Sequence, residues 1–329
     1  MKKQTKIAAV LSAAAFMMMV SGLPVYAASY GWVTEGDAKV YYDEDGYLTT
    51  DAWRKRGEDW FYLGEDGQIV KNAKIDEYYV DDEGKMVTNA WVELKNEEDP
   101  DSPETPDAFW YYFEKDGKSA ISKWVKFDSK WYYFDESGHM ATGKTEIDGA
   151  TYYLGTEKDG FMRTGWIRLE ENGHAPGASE SWYYFNSDGK MVTTQYDKKI
   201  DGSYYTFIDG KMQTGWVLMP SKSDVTDSNA ASPKITDYQY YGAAGDGKRA
   251  EGFRSIEGIS GIHAADEVYT FYFKAGKPYV SDKKGNSLFT INAKKYAFSD
   301  LGIMQTGRQI ANVANDEIAN FYFGEDGIV

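Results

Sequence analysis

An aromatic doublet returns along this chain at near-regular spacing, and repetition of that kind leaves few folds open. The doublets are Tyr41-Tyr42, Phe61-Tyr62, Tyr78-Tyr79, Tyr111-Tyr112, Tyr132-Tyr133, Tyr152-Tyr153, Tyr183-Tyr184, Tyr204-Tyr205 and Tyr240-Tyr241, with looser copies at Phe271-Tyr272, Tyr296 and Tyr322. Most are followed within a few residues by an acidic residue and glycine, as at Asp45-Gly46, Asp66-Gly67, Asp116-Gly117 and Asp188-Gly189. Where no insertion intervenes the period is about twenty residues, within the range of stacked repeat proteins.

Residues 124–143 show the unit most fully. Trp124 and Trp131 precede an aromatic run ending at Phe134, then Ser137-Gly138, Met140 and Thr142-Gly143. Residues 131–134 have the aromatic enrichment of a strand, 135–138 the chemistry of a tight turn, and 139–142 the length of a short return strand. One hairpin followed by a connector is therefore expected. A hairpin this small cannot bury a core alone, so neighbouring hairpins must stack to cover their aromatic faces. The expected fold is all-β, an elongated solenoid of stacked β-hairpin repeats.

The pattern resembles the cell-wall-binding repeat family, which includes choline-binding repeats and related glucan-binding and toxin-tail repeats. The matching residues are Gly165-Trp166 and Gly215-Trp216, the Trp-Tyr-Tyr runs at Trp131 and Trp182, and the endings at Met140-Ala141-Thr142-Gly143, Met162-Arg163-Thr164-Gly165 and Met212-Gln213-Thr214-Gly215. The likeness covers residues 30–220 well and 236–329 loosely.

In chain order, residues 1–27 read as a secretory signal: Lys2, Lys3 and Lys6 precede an uncharged apolar run, and Val25-Tyr26-Ala27 offers a small-residue cleavage site. Residues 28–219 carry all ten tryptophans, 220–233 read as a linker or long loop, and 234–329 are degenerate, tryptophan-free repeats. Acidic, proline-rich residues 96–106 and residues 170–181 read as inserted loops. The last repeat stops partway, as a natural cap or an incomplete sequence would.

Composition narrows the partners. There is no cysteine, so stability must come from stacking rather than disulfides. Without the three signal lysines, 33 basic residues face 52 acidic ones, a net charge of −19. That balance argues against nucleic acid and anionic membrane surfaces.

The chemistry on offer is aromatic. A quaternary ammonium forms no hydrogen bonds and is held by electron-rich ring faces, tryptophan best of all. In choline-binding repeats two aromatic residues of one repeat, a tyrosine of the next and often a methionine form such a cage. The resemblance carries these roles to Trp124, Trp131 and Tyr153 with Met140, and to Trp53, Trp60 and Tyr79 with Met86. Weaker matches are Trp91 and Trp110 with Tyr133, and Trp166 and Trp182 with Tyr205, because insertions separate their tryptophans. Trp32 and Trp216 lack a second tryptophan, with Val40 and Gln239 read at the equivalent positions. The bland alternative is that many of these rings are simply core, with methionines as packing residues first.

A catalytic reading finds little to stand on. His139, His174 and His263 are scattered and expected to be exposed, no zinc or EF-hand spacing occurs, and the acidic turns are explained by turn chemistry. No metal or cofactor is expected. The resulting expectation is a secreted, non-enzymatic protein of the cell wall or cell surface. Its partner is teichoic-acid choline or a wall or extracellular glycan, with no membrane insertion. A homodimer through paired solenoid ends is open in this family. The alternatives are a glucan-binding or host-glycan adhesin and, third, the anchoring part of a wall hydrolase.

Overall fold

The computed structural model describes residues 30–96, 106–170, 179–220, 232–243, 245–264, 266–313 and 317–329. The proposed signal, most of both inserted loops with His174, and most of 220–233 lie outside the described residues.

Among the described residues the chain is all-β apart from one 3-10 turn at Ile235–Asp237. Its strands form eight two-stranded, two three-stranded and one four-stranded sheet. The chain divides into two compact units, residues 1–122 with 134–139, and residues 123–133 with 140–329. In the first unit, antiparallel hairpins join Gly31–Glu35 to Ala38–Tyr42, Ala52–Arg56 to Asp59–Leu63, Ala73–Ile75 to Tyr78–Val80, and Ala90–Lys95 to Ala108–Phe113. The second continues in the same manner, for example Lys144–Ile147 with Ala150–Tyr153, and Gly165–Glu170 with Glu180–Phe185.

The hairpin is not the one expected from residues 131–142. Lys123–Phe127 pairs with Lys130–Phe134, so the segment carrying the first tryptophan is a strand, and residues after 135 return with only isolated backbone bonds, such as Ala141 N–H to the Tyr133 carbonyl at 2.8 Å. Asp128-Ser129 explains why, as do Asp148-Gly149 and Asp201-Gly202 in later hairpins: each pair has positive φ at both residues, the conformation that lets a two-residue turn match the strands' twist. The Asp-x-x-Gly segments instead form Asx-type turns, as where Asp135 Oδ1 accepts the N–H groups of Ser137 and His139 at 2.8 and 2.9 Å.

Strand alternation sorts the aromatic run. In Glu180–Phe185, Tyr183 and Phe185 are buried while Trp182 and Tyr184 lie on the opposite face, half-buried. A residue at the end of the second strand, or next to that end, is fully buried in hairpin after hairpin: Leu63, Val80, Phe113, Phe134, Leu154, Phe185, Phe207, Tyr241, Phe273, Phe298 and Phe323. Each such side chain contributes about 1.5–3 kcal/mol of apolar burial.

Hairpins are also tied by backbone. Within the first unit Met86 N–H donates to the Trp60 carbonyl; within the second, Met162 donates to Trp131, Met191 to Thr151 and Met304 to Thr270, all at 2.8 Å. The methionines then lie against the turn glycine that follows. A Cβ built on Gly117 would meet Met86 Sδ at 2.7 Å, and Gly160, Gly189 and Gly247 bear the same relation to Met140, Met162 and Met212.

The Trp-poor end departs from simple stacking. Asn286–Ile291 pairs with Lys294–Ser299 but also runs parallel to Gly307–Asn312, making the four-stranded sheet. Gly215–Leu218 pairs with Tyr238–Tyr241, so residues 220–233 connect two strands of one hairpin.

Candidate functional site

The best-formed aromatic site belongs to Trp166, in the second unit. Trp166 sits opposite Tyr184 in the hairpin register, and its ring packs on that tyrosine at 5.1 Å. The next hairpin, Gln195–Ile200 with Ser203–Ile208, brings Tyr205 edge-on at 4.8 Å and Phe207 stacked at 5.6 Å. Trp182 stands nearly perpendicular to Trp166, with centroids 6.4 Å apart and planes at 84°. Trp182 and Tyr184 share a strand face because they are two residues apart.

Three of these rings, Trp166, Trp182 and Tyr205, line an open cavity of about 290 Å³ with Met212, Gly245, Asp246 and Lys248. Three aromatic walls, a thioether and an acidic group at the edge suit a weakly hydrated cation or the face of a sugar ring. The Trp166, Trp182 and Tyr205 grouping expected from sequence is thus brought together, despite the insertion between its tryptophans. Met212 is the methionine that the sequence reading missed.

Two further tryptophan pairs keep this plan with a corrected tyrosine. Trp124 packs on Tyr133 at 5.3 Å and on Tyr152 at 5.0 Å, with Met162 in the same apolar cluster. Tyr153 points to the other face, against Phe185 at 6.2 Å, and Met140 lies against Gly160. Trp131 is 41% exposed, and Lys126 Nζ lies 5.7 Å from its ring centroid, within the range of a cation–π contact. In the first unit Trp53 meets Tyr62 and Tyr78, each at 5.3 Å, while Tyr79 stacks on Phe113. Trp60 is 39% exposed, and the Met86 backbone N–H donates to its carbonyl.

The physical reason is parity. The ring facing the preceding tryptophan lies two positions before the buried closing residue: Tyr78 before Val80, Tyr152 before Leu154, Tyr205 before Phe207. The second tyrosine of a doublet meets that rule only where an extra residue intervenes, as Thr206 does.

Trp91 stands 6.5 Å from Trp110, 5.3 Å from Tyr112 and 5.4 Å from Phe134. Tyr133, expected beside it, packs on Trp124 instead. The register puts Lys39 and Tyr238, rather than Val40 and Gln239, where the second tryptophan would stand beside Trp32 and Trp216. The space beside Trp216 is filled: its ring packs on Phe271 and Phe273 at 5.1 and 5.4 Å, in a cluster with Ile235 and Ile259. In the tryptophan-free part, Phe253 takes the tryptophan's place, 4.8 Å from Tyr272 and 4.9 Å from Tyr296, and Thr270 stands where Trp182 does.

The histidines correct another expectation. His263 is buried, its Nδ1 accepting Ile259 N–H at 2.8 Å and its Nε2 facing the Leu301 carbonyl at 2.9 Å, so it carries its proton on Nε2. His139 stacks flat on Phe109 with centroids 3.7 Å apart. Both serve packing. Among the described residues no cluster of His, Asp or Glu could hold a metal ion, and no helix is long and apolar enough to cross a membrane.

A stack of small hairpins, with an aromatic cavity between two neighbours, defines a β-hairpin repeat protein. The chain carries repeats of the choline-binding, cell-wall-binding family. A choline-binding repeat model matches residues 120–166 and a cell wall binding repeat model residues 178–191. A flagellin model matches residues 3–91, whose described part consists of the same hairpins. The fold is that of CbpJ from Streptococcus pneumoniae, with 19% identity, a TM-score of 0.52, and coverage of 91% of this chain and 99% of that one. The modular autolysin LytC from Streptococcus pneumoniae gives 21% identity and a TM-score of 0.50, over 84% of this chain and 52% of LytC. Among curated proteins, glucosyltransferase-I of Streptococcus downei and glucosyltransferase-S of Streptococcus mutans are each 27% identical over 90% of this chain. The chain spans 17% and 20% of the lengths of these two relatives.

Proposed function

We propose that this chain is a non-catalytic binding protein that attaches to choline-bearing or saccharide polymers of the cell envelope through aromatic sites between successive hairpins. The observation that carries this reading is the 290 Å³ cavity walled by Trp166, Trp182, Tyr205 and Met212. Repetition adds to it, because Trp53 with Trp60 and Trp124 with Trp131 repeat the same plan in their own units. Several weak sites on one chain hold a repeating polymer far more tightly than one site does. Export by the segment at residues 1–27 and a place at the cell surface belong to the same proposal.

A second reading, attachment to glucan, draws on the curated relatives, both glucosyltransferases that this chain matches over 90% of its length. Aromatic faces stack on sugar rings as well as on ammonium groups. Tryptophan fluorescence during titration with choline and, separately, with glucan oligosaccharides tests both, on the native chain and on Trp182→Ala. A saturable response to choline that shrinks in the variant supports the choline form; a response to oligosaccharide alone supports the glucan form. No response to either removes the proposal.

A further inference from the structure

The cavity at Trp166 has a larger neighbour. A second cavity, of about 330 Å³, is lined by Tyr204, Lys248, Arg249, Glu251 and Arg254 among others, and Asp246 and Lys248 border both cavities. The aromatic cavity and the charged one are thus two sides of a single turn.

The charge of the second cavity runs against the chain's. In a sequence with 52 acidic and 36 basic residues, three basic side chains converge here with two carboxylates. Glu251 is partly committed, its Oε1 accepting Ala275 N–H at 2.9 Å. Asp246 pairs with Lys248 at 3.4 Å, where both side chains are about half exposed.

Arg249 is built in rigidly. Its Nη1 meets Asp197 Oδ1 at 3.0 Å, its guanidinium lies 4.1 Å over the Tyr204 ring, and its buried Nε has no protein partner. Asp197 reaches it because the register shifts between Gln195 and Lys198 and Asp197 adopts a φ of 50°. Such a bulge re-aims a side chain. Buried Tyr241 donates to the same carboxylate at 2.9 Å and accepts from Thr206 at 2.7 Å. Arg254, by contrast, is exposed and gives one N–H to the Phe253 carbonyl at 2.8 Å. A guanidinium carries five donors in a planar fork suited to phosphate or carboxylate.

We infer that the second cavity is an anion subsite, taking the phosphate or carboxylate carried next to the group held between Trp166, Trp182 and Tyr205. The inference rests on the aromatic cavity being a ligand site. Lys248, on the shared wall, faces the junction of the two groups, and Arg254 grips the anion from the far side.

The test compares choline, phosphocholine and glycine betaine at one low ionic strength, on the native chain, Arg254→Gln and Trp182→Ala. Binding is read at the Arg249 and Arg254 side-chain Nε resonances, which report this cavity apart from the other tryptophan sites. The native chain is expected to bind phosphocholine about three- to tenfold more tightly than choline. Arg254→Gln is expected to abolish that margin while leaving choline within about twofold, and Trp182→Ala to weaken all three ligands. A matching margin for betaine shows a subsite for either anion, and a margin for phosphocholine alone shows one for phosphate. Equal affinity of choline, phosphocholine and betaine in the native chain, or a margin that survives Arg254→Gln, overturns the inference, and a margin for betaine alone shows a subsite for carboxylate. If none of the three binds, the choline form of the function fails, and glucose 6-phosphate against glucose decides the subsite: a margin lost in Arg254→Gln upholds it, and no margin overturns it.

Discussion

Trp166 meets Tyr205 of the following hairpin edge-on at 4.8 Å, while the same indole stacks on Phe207 at 5.6 Å. One ring therefore glues two hairpins and walls the cavity between them. Trp182, 6.4 Å away, has no second ring contact of this kind among the described residues and mainly walls the cavity.

Trp166→Ala is expected to cost about 3–5 kcal/mol of stability, as large aromatic truncations in a packed setting do. Trp182→Ala is expected to leave the melting transition within a few degrees and to weaken ligand binding about threefold to thirtyfold, the span of a partly desolvated cation–π contact. Calorimetry on both variants checks the split. Equal destabilisation by the two changes would contradict this division of labour.

Gly117 sits where a Cβ would meet Met86 Sδ at 2.7 Å, with a φ of +85°. Gly117→Ala is expected to destabilise the first unit by about 1–3 kcal/mol through strain and overpacking. Adding Met86→Ala should recover the packing share and leave the backbone share. Urea midpoints for the two single variants and the double give the coupling; strict additivity would show that the methionine is irrelevant to the glycine.

Burial lifts the Tyr241 phenol well above its ordinary value of 10.0, its hydrogen bond to Asp197 adds to the rise, and Thr206 and Arg249 oppose it. Burial also raises Tyr62 and Tyr79. A folded-state pKa above the unfolded one contributes stability that is whole below the unfolded value and is lost as pH climbs toward the folded value. Stability is therefore expected to fall on the alkaline side, and denaturation midpoints at about pH 9 and about pH 11 measure it. A midpoint that does not move would show these phenols ionise alike in both states.

The tryptophan-free hairpin lacks one wall. Phe253, Tyr272 and Tyr296 already hold the positions of Trp166, Tyr184 and Tyr205, and Thr270 lies where the second tryptophan would be. Thr270→Trp, alone or with Phe253→Trp, is expected to add one binding site. Stoichiometry by titration calorimetry reads this directly, and an unchanged number of sites would mean that more than the missing ring closed the site.

The fold was legible because repetition is redundant: one doublet is ambiguous, but many at one spacing demand a stack of hairpins. Which strands pair was not legible. Asp148-Gly149 and Asp201-Gly202 look no different in sequence from the Asp-x-x-Gly turns, and only the former reverse a hairpin. The same mistake of phase selected Tyr79 and Tyr153 over Tyr78 and Tyr152, since neighbouring residues of a strand face opposite ways. Counting back from the buried residue that closes each strand would have found them. His263 gave no signal, because its partners, Ile259 and Leu301, offer backbone atoms that any residue carries.

Met212 lines the aromatic cavity, and its sulfur rests where Gly247 would otherwise carry a side chain. The breadth of the opening is thus fixed by a glycine that takes no part in it. Over evolutionary time such a site cannot be resized one residue at a time: a larger residue at 247 is tolerated only with a smaller one at 212, and the two positions should vary together across descendants. Ligand preference in this molecule would then drift through coupled changes at hairpin turns, leaving the tryptophans themselves untouched.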